Sequence, residues 1–350
     1  MNSLLDSTYQ EFLQEVKIFL PASRCFTDPL KTLAFGTDAS FYRLVPKIVL
    51  KVQTRDEVIR ILKIAHRLKV PVTFRSAGTS LSGQALSDSV LLVQAGAWRV
   101  CRILDNGERI AIEPGVIGAE ANALLLPYGK KIGPDPASIN AAMVGGIAAN
   151  NASGMCCGTA ENSYKTVDHL KLVFHDGAYL DTADPASCAA FLGTHQELVR
   201  EIVAIRDEIQ ANPLLRQRIA DKFKIKNTTG YGINSFVDFN DPIDIIKHLM
   251  IGSEGTLAFI AEVTYKTVVE HAHKASPHHL SDRGGRMQCN DYSAQRRSAR
   301  RSGADGLRVA QIRCGQARDA VVPQDARRSG RCPAGRDPRR GQRCAGQEDR

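Results

Sequence analysis

The sequence predicts an α+β fold, because strand and helix patterns mix along it without the strict alternation of a doubly wound parallel sheet. Two Asx-Gly turns, Asn106-Gly107 and Asp176-Gly177, each sit between short β-rich runs and predict antiparallel hairpins. A third observation bounds the fold: the alternation of apolar and polar positions stops near residue 275, and an arginine-rich stretch follows.

In chain order, residues 48–52 are a short apolar run suited to a buried strand. Thr54 and Glu57 form a capping-box signature ahead of a helix whose apolar positions are Val58, Ile61, Leu62, Ala65 and Leu68. The runs 70–74 and 90–93 complete a βαβ-type unit, with a glycine-rich loop at the end of its second strand. The runs 100–104 and 109–112 flank the first turn, 119–126 reads as a helix, and 170–174 and 179–182 flank the second turn. Amphipathic patterns predict helices over 196–211 and 242–250.

The glycine-rich loop carries the chemistry. Arg75-Ser76-Ala77-Gly78-Thr79-Ser80-Leu81-Ser82-Gly83-Gln84 offers glycines that let backbone N–H groups turn inward, three hydroxyl donors at Thr79, Ser80 and Ser82, and a positive charge at Arg75. It reads as a cradle for a pyrophosphate. A Walker loop is excluded because Gln84-Ala85 stands where Lys-Ser/Thr is required, and a G-x-G-x-x-G pattern is absent from it. Two further segments accompany it. One is Gly133-Pro134-Asp135-Pro136-Ala137-Ser138, followed by Gly145-Gly146-Ile147-Ala148-Ala149-Asn150-Asn151-Ala152-Ser153-Gly154. The other is Gly252-Ser253-Glu254-Gly255-Thr256, a tight turn entering a strand. Paired glycines opening an Ala-rich helix leave N–H groups free at its start, and the small residues beyond leave room for a flat ring system.

In order and spacing, these three segments resemble the flavin-contacting segments of FAD-linked oxidoreductases of the PCMH (vanillyl-alcohol-oxidase) type, in the D-lactate dehydrogenase and glycolate oxidase branch. The resemblance runs from about Leu33 to Val269. It implies an N-terminal segment (1–32), a FAD-binding domain of two α/β subdomains (33–271) and a tail (272–350). It also implies that Arg75, Ser76, Ala77, Gly78, Thr79, Ser80, Ser82 and Gly83 hold the pyrophosphate, with Pro134 and Asp135 nearby. Gly145, Gly146, Asn150, Ser153 and Gly154 would line the ribityl and ring region. Gly252, Ser253, Glu254, Gly255 and Thr256 would close the site. Branch members that tether flavin covalently use a His soon after the paired glycines; none stands there, which implies noncovalent FAD. The reaction implied is oxidation of a 2-hydroxy acid, with hydride passing to flavin N5. In longer members a substrate domain supplies the base, and iron–sulfur clusters carry electrons onward.

The tail has a different composition. Residues 276–350 hold seventeen Arg, no Lys and eight Asp or Glu; against 46 basic and 37 acidic residues in the whole chain, 29 of each remain before Ser276. The net charge of +9 therefore belongs to the tail, which also lacks Phe and Trp and predicts disorder. One reading is a basic arm for nucleic acid or another acidic surface. The other is out-of-frame translation of a GC-rich gene. The absence of Lys favours the second, as does the sensible strand-and-helix sequence that codons for 278–288 can encode one base further on. On that reading the chain is the FAD-binding part of a longer enzyme, or a noncatalytic remnant of one, with little or no turnover alone and no nucleic-acid partner.

Single thiols at Cys289, Cys314, Cys332 and Cys344 lack C-x-x-C spacing, His271 and His273 lack further ligands, and Cys156-Cys157 reads as small packing residues, so no metal is expected. The N-terminus has no basic n-region, and no run reaches the length of a membrane span. A cytoplasmic location follows as the expectation, with peripheral contact to the inner membrane for the parent enzyme.

Overall fold

The computed structural model describes residues 5–271, apart from Ala95, Ala97 and Met155. The tail, its cysteines and its predicted disorder lie outside the described residues. The chain divides into units Met1–Glu270 and His271–Arg350, and the first contains all the elements below.

Its first sheet is built from β1 (Cys25–Phe26), β2 (Ile48–Lys51), β3 (Val72–Arg75) and β4 (Val90–Val93), in the order β1-β2-β4-β3. β2 and β3 run parallel to β4, which separates them; Ile48 and Val72 both face Val90. The expected βαβ unit is thus present with a strand inserted in its middle. Only strands buried on both faces tolerate such continuous apolar runs, and Ile48, Val49, Leu50, Val90, Leu91 and Leu92 are fully buried. Helices Ser7–Lys17 and Arg55–Leu68 cover one face through Phe12, Val16, Val58 and Ile61. The Thr54–Glu57 capping box is formed as predicted, and Glu57 additionally binds Arg24 at 2.7 Å. Lys69 ends the helix in the left-handed region at φ 54°.

The second sheet contains β5 (Cys101–Leu104), β6 (Arg109–Ile112), β7 (Lys130–Ile132), β8 (Val167–Phe174), β9 (Tyr179–Asp181) and β10 (Ala258–Val269). Its order is β5-β6-β10-β8-β9, antiparallel throughout, with β7 pairing the far end of β10. Both predicted hairpins form. Asp105, Asn106 and Gly107 all adopt positive φ, and Gly177 does so in the second turn. β10, twelve residues long, is the spine of this sheet. A register shift between Ile260 and Glu262 re-aims its side chains, so Phe259 and Ala261 join the core of the first sheet while Ile260, Val263 and Tyr265 stay in the second. Phe259 packs 5.2 Å from both Phe74 and Trp98, and the Trp98 indole N–H donates to the Val52 carbonyl at 3.1 Å. That aromatic cluster fixes the two sheets against each other within the unit.

Helices Ser7–Lys17, Pro29–Ala34, Pro185–Thr194 and Pro213–Lys222 lie outside the predicted elements. Their starts were legible: Asp6, Asp28, Asp184 and Asn212 each cap a backbone N–H, and in the last three a Pro follows at the first helical position.

Helix Pro242–Met250 carries a buried histidine with a pH consequence. His248 stacks on Phe239 at 3.9 Å, meets Tyr164 edge-on at 4.9 Å and shares a 2.7 Å hydrogen bond with the Asp244 carbonyl. Burial pulls its pKa down to about 4. The folded state therefore favours the neutral ring. That contribution is complete above about pH 6.5 and is lost as pH falls from there through about 4, a loss of about 3 kcal/mol. Thermal unfolding between pH 7 and pH 4 should show a smaller acid loss for His248→Gln than for the wild type; parallel curves would remove His248 as the cause.

Candidate functional site

β3 ends at Arg75 and delivers the glycine-rich loop. The Arg75 guanidinium does not enter the space above the loop. It turns beneath it, donates to the Phe35 carbonyl at 3.0 Å and lies where a side chain on Gly78 would project, 2.6 Å from an ideal Cβ. Gly78 (φ +70°) also accepts a hydrogen bond from the Ala39 N–H at 3.0 Å, and Gly83 (φ +80°) packs on the Tyr42 ring. The loop is thus held from outside by segment 35–42. Within it, the Ser76 hydroxyl donates to Gln94 at 2.9 Å, and Ser80 bonds both Gln84 and the Ser82 N–H.

Helix Val144–Asn150 approaches from the second sheet. Gly145 allows this approach, since a Cβ there would stand 2.5 Å from Pro114. A Cβ on Gly146 would project toward Ser76, 3.7 Å away, so the absence of a side chain leaves open space. The far end of the helix receives the third segment: the Gly252 N–H donates to the Ala148 carbonyl at 3.2 Å, and the Glu254 N–H to that of Ala149 at 2.8 Å. Asn150 donates its side-chain amide to the Glu254 carboxylate at 2.5 Å. Burial pushes the Glu254 carboxyl above the usual range, with the Asn150 bond opposing.

These three segments enclose a cavity of about 440 Å³. Of the predicted site residues, Ser76, Ala77, Gly78, Thr79, Ser80, Ser82, Gly145, Gly146, Asn150, Ser153, Glu254 and Gly255 line it. Phe74, Phe259 and Ile260 contribute apolar wall.

The other predicted residues stand behind the lining. Arg75 and Gly83 shape the loop, as described. Asp135 lies 3.8 Å from Lys131, and its carbonyl presses on Gly154, where a Cβ would come within 1.7 Å. Pro134 is buried beside it. Gly252 (φ +89°) makes the turn, Ser253 donates to the Met250 carbonyl at 2.9 Å, and Thr256 bonds the Ser253 carbonyl and Tyr231.

Gln94, Lys226 and Thr228 also line the cavity and stand in no motif segment, and Gln84, at the end of the glycine-rich loop, joins them. Ser138, which also lines the cavity, stood in the quoted second segment. Lys226 carried no local signal, because only the fold brings it to the Ser153 carbonyl, to which its ammonium donates.

Cys156 is exposed, Cys157 is buried, and neither lines the cavity. No cluster of three or more His, Cys, Asp or Glu suited to a metal ion occurs among the described residues. No helix among them is long and apolar enough to cross a membrane.

Residues 46–183 match the family model described as "FAD binding domain". Glycolate oxidase subunit GlcD of Escherichia coli (strain K12) is 39% identical over 120 residues, covering 34% of this chain and 24% of that protein. D-2-hydroxyglutarate dehydrogenase of the same strain is 30% identical over 263 residues, 72% of this chain and 25% of the relative. D-lactate dehydrogenase of Archaeoglobus fulgidus is 26% identical over 264 residues, 74% of this chain and 46% of the relative. The chain spans about a quarter of the length of the two Escherichia coli relatives.

Proposed function

We propose that this chain, whose residues 46–183 belong to the FAD binding domain family, is the FAD-holding part of a flavin-dependent 2-hydroxy-acid dehydrogenase of the PCMH-type branch. The observation that supports this best is the convergence of three separate glycine-bearing segments on one cavity. The residues fit the cofactor. Gly78 keeps the loop in a conformation open to side-chain-free backbone, Gly146 leaves space that a Cβ would fill, and the lining alternates hydroxyls with apolar wall.

Bound FAD supplies the hydride acceptor, at N5, for the carbon that bears the substrate hydroxyl. The protein's part is binding and orientation. Thr79, Ser82 and the 77–80 backbone hold the diphosphate, Gly146 admits the flat and ribityl portions while Gly145 seats its helix against Pro114, and Glu254 with Asn150 closes the far wall. The substrate class, a D-lactate-, glycolate- or 2-hydroxyglutarate-like acid, rests on the named relatives. Electron transfer onward through iron–sulfur clusters belongs to the longer protein in this reading. A cytoplasmic site suits the free thiols of Cys25, Cys101, Cys156, Cys157 and Cys188.

The test is reconstitution of the 350-residue chain with FAD followed by desalting. The expected result is a yellow protein with about one flavin per chain, released into the supernatant on acid precipitation as a noncovalent cofactor. A colourless protein overturns the reading. Anaerobic addition of D-lactate, glycolate or D-2-hydroxyglutarate then separates two forms of it: bleaching of the flavin marks a chain that also holds substrate, and an unchanged spectrum marks a cofactor-binding part.

A further inference from the structure

We infer that Lys226 is the anion-binding cation of this cavity, released from the Ser153 carbonyl to pair with an anionic group of what the cavity takes up. The inference rests on the FAD reading and extends it to a residue outside the glycine-rich segments.

Charge inside the cavity is scarce. Among the residues that line it, Lys226 and Glu254 are the charged side chains. The cation that the loop sequence itself supplies, Arg75, is turned beneath the loop onto the Phe35 carbonyl and lies outside the lining. A diphosphate or a carboxylate bound here must therefore find its counter-charge in Lys226 or do without one. Glu254 works against an anion, and its burial, which favours the neutral acid, reduces that opposition.

Lys226 is placed to respond. Its ammonium donates to a neutral backbone carbonyl, and it makes no ion pair with a carboxylate among the described residues. A neutral partner leaves the positive charge uncompensated, so exchange of the carbonyl for a phosphate or carboxylate oxygen gains a charge-assisted hydrogen bond. The side chain is exposed, and a flexible four-carbon stem carries the charge. Rotation about that stem moves the ammonium without moving the backbone, and Thr228, two residues on, lines the same cavity.

Two anions share this chemistry, the cofactor's diphosphate and the substrate's carboxylate, and the test distinguishes them. FAD and riboflavin, which lacks phosphate, are titrated by flavin fluorescence into the full chain as wild type, Lys226→Met and Lys226→Arg. Unchanged thermal unfolding confirms that each variant folds. The expected result is FAD affinity about tenfold weaker in Lys226→Met, riboflavin affinity unchanged, and recovery in Lys226→Arg. If FAD affinity holds, and oxalate shifts the flavin spectrum of the FAD-loaded wild type but not that of Lys226→Met, the anion is the carboxylate and the assignment stands. Equal weakening of FAD and riboflavin makes Lys226 structural and overturns it, as does a variant unchanged toward both FAD and oxalate. A wild-type chain that binds no FAD fails the cofactor reading itself. Normal FAD binding by wild type and variant alike, with the oxalate response also unchanged, fails the lysine inference alone.

Discussion

Gly78→Val should yield a folded protein that retains no FAD through desalting. Gly78 sits at φ +70°, where a β-branched side chain is strained by about 1–3 kcal/mol before any contact is counted. Contact makes matters worse, because an ideal Cβ lies 2.6 Å from Arg75 Nη2 and 2.8 Å from Nε. The guanidinium cannot yield freely. It is anchored on the Phe35 carbonyl at 3.0 Å, and the Gly78 carbonyl is itself held by the Ala39 N–H at 3.0 Å. Relief must break the Arg75–Phe35 bond or move the loop backbone, which lines the cavity from Ser76 to Ser82. The sheet cores lie elsewhere, so the fold should survive while FAD affinity falls on the order of a hundredfold or more, equivalent to about 3 kcal/mol. Gly129→Val is the control for conformation alone, since Gly129 has φ +64° but nothing within 4 Å of an added Cβ and lies outside the cavity. The flavin-to-protein absorbance ratio of the desalted proteins decides. Equal ratios in wild type and Gly78→Val would remove the loop from cofactor binding.

What the sequence made legible was chemistry completed within a few residues. The Thr54–Glu57 capping box, the Asn106-Gly107 and Asp176-Gly177 turns and the apolar strands are each decided by near neighbours, and each stands where the pattern put it. The insertion of β4 between β2 and β3 depends on pairing across forty residues, and no local pattern encodes it. β10 was announced only by the turn that enters it. Its role as spine comes from simultaneous pairing with β6, β7 and β8. The same division runs through the site. The three motif segments could be read and do line one cavity, but the direction of the Arg75 side chain is set by a carbonyl forty positions earlier in the chain. Lys226 is brought in by a contact across 73 positions. Several motif glycines also proved to serve packing. Gly145 clears Pro114, and Gly154 clears the backbone of Asp135, so a glycine in a cofactor motif need not touch the cofactor.

Gly154 gives that distinction its sharpest consequence, because Gly154→Ala should destabilise the whole domain as well as weaken FAD binding. An alanine Cβ there would lie 1.7 Å from the Asp135 carbonyl oxygen and 2.9 Å from its carbon. Both partners are backbone, so no rotamer change can relieve the overlap; the 133–138 and 151–154 segments must separate. Gly154 does not have positive φ, so alanine suffers no conformational penalty and the cost is steric. Overpacking of this kind costs about 3 kcal/mol or more, which for a domain of this size lowers Tm by about 6–12 °C. Separation also displaces Pro136 and Ser138 on one side and Ser153 on the other, all of which line the cavity, and it moves the carbonyl that holds Lys226. FAD binding should therefore weaken together with stability, unlike the pattern for Gly78→Val, where binding fails and the cores hold. Gly193→Ala, in helix Pro185–Thr194 with nothing within 4 Å of the new methyl, should leave Tm unchanged or raise it slightly. Thermal unfolding of the three proteins with and without FAD measures both effects. A Gly154→Ala chain that melts with the wild type would mean that Asp135 and Gly154 are not in contact in solution.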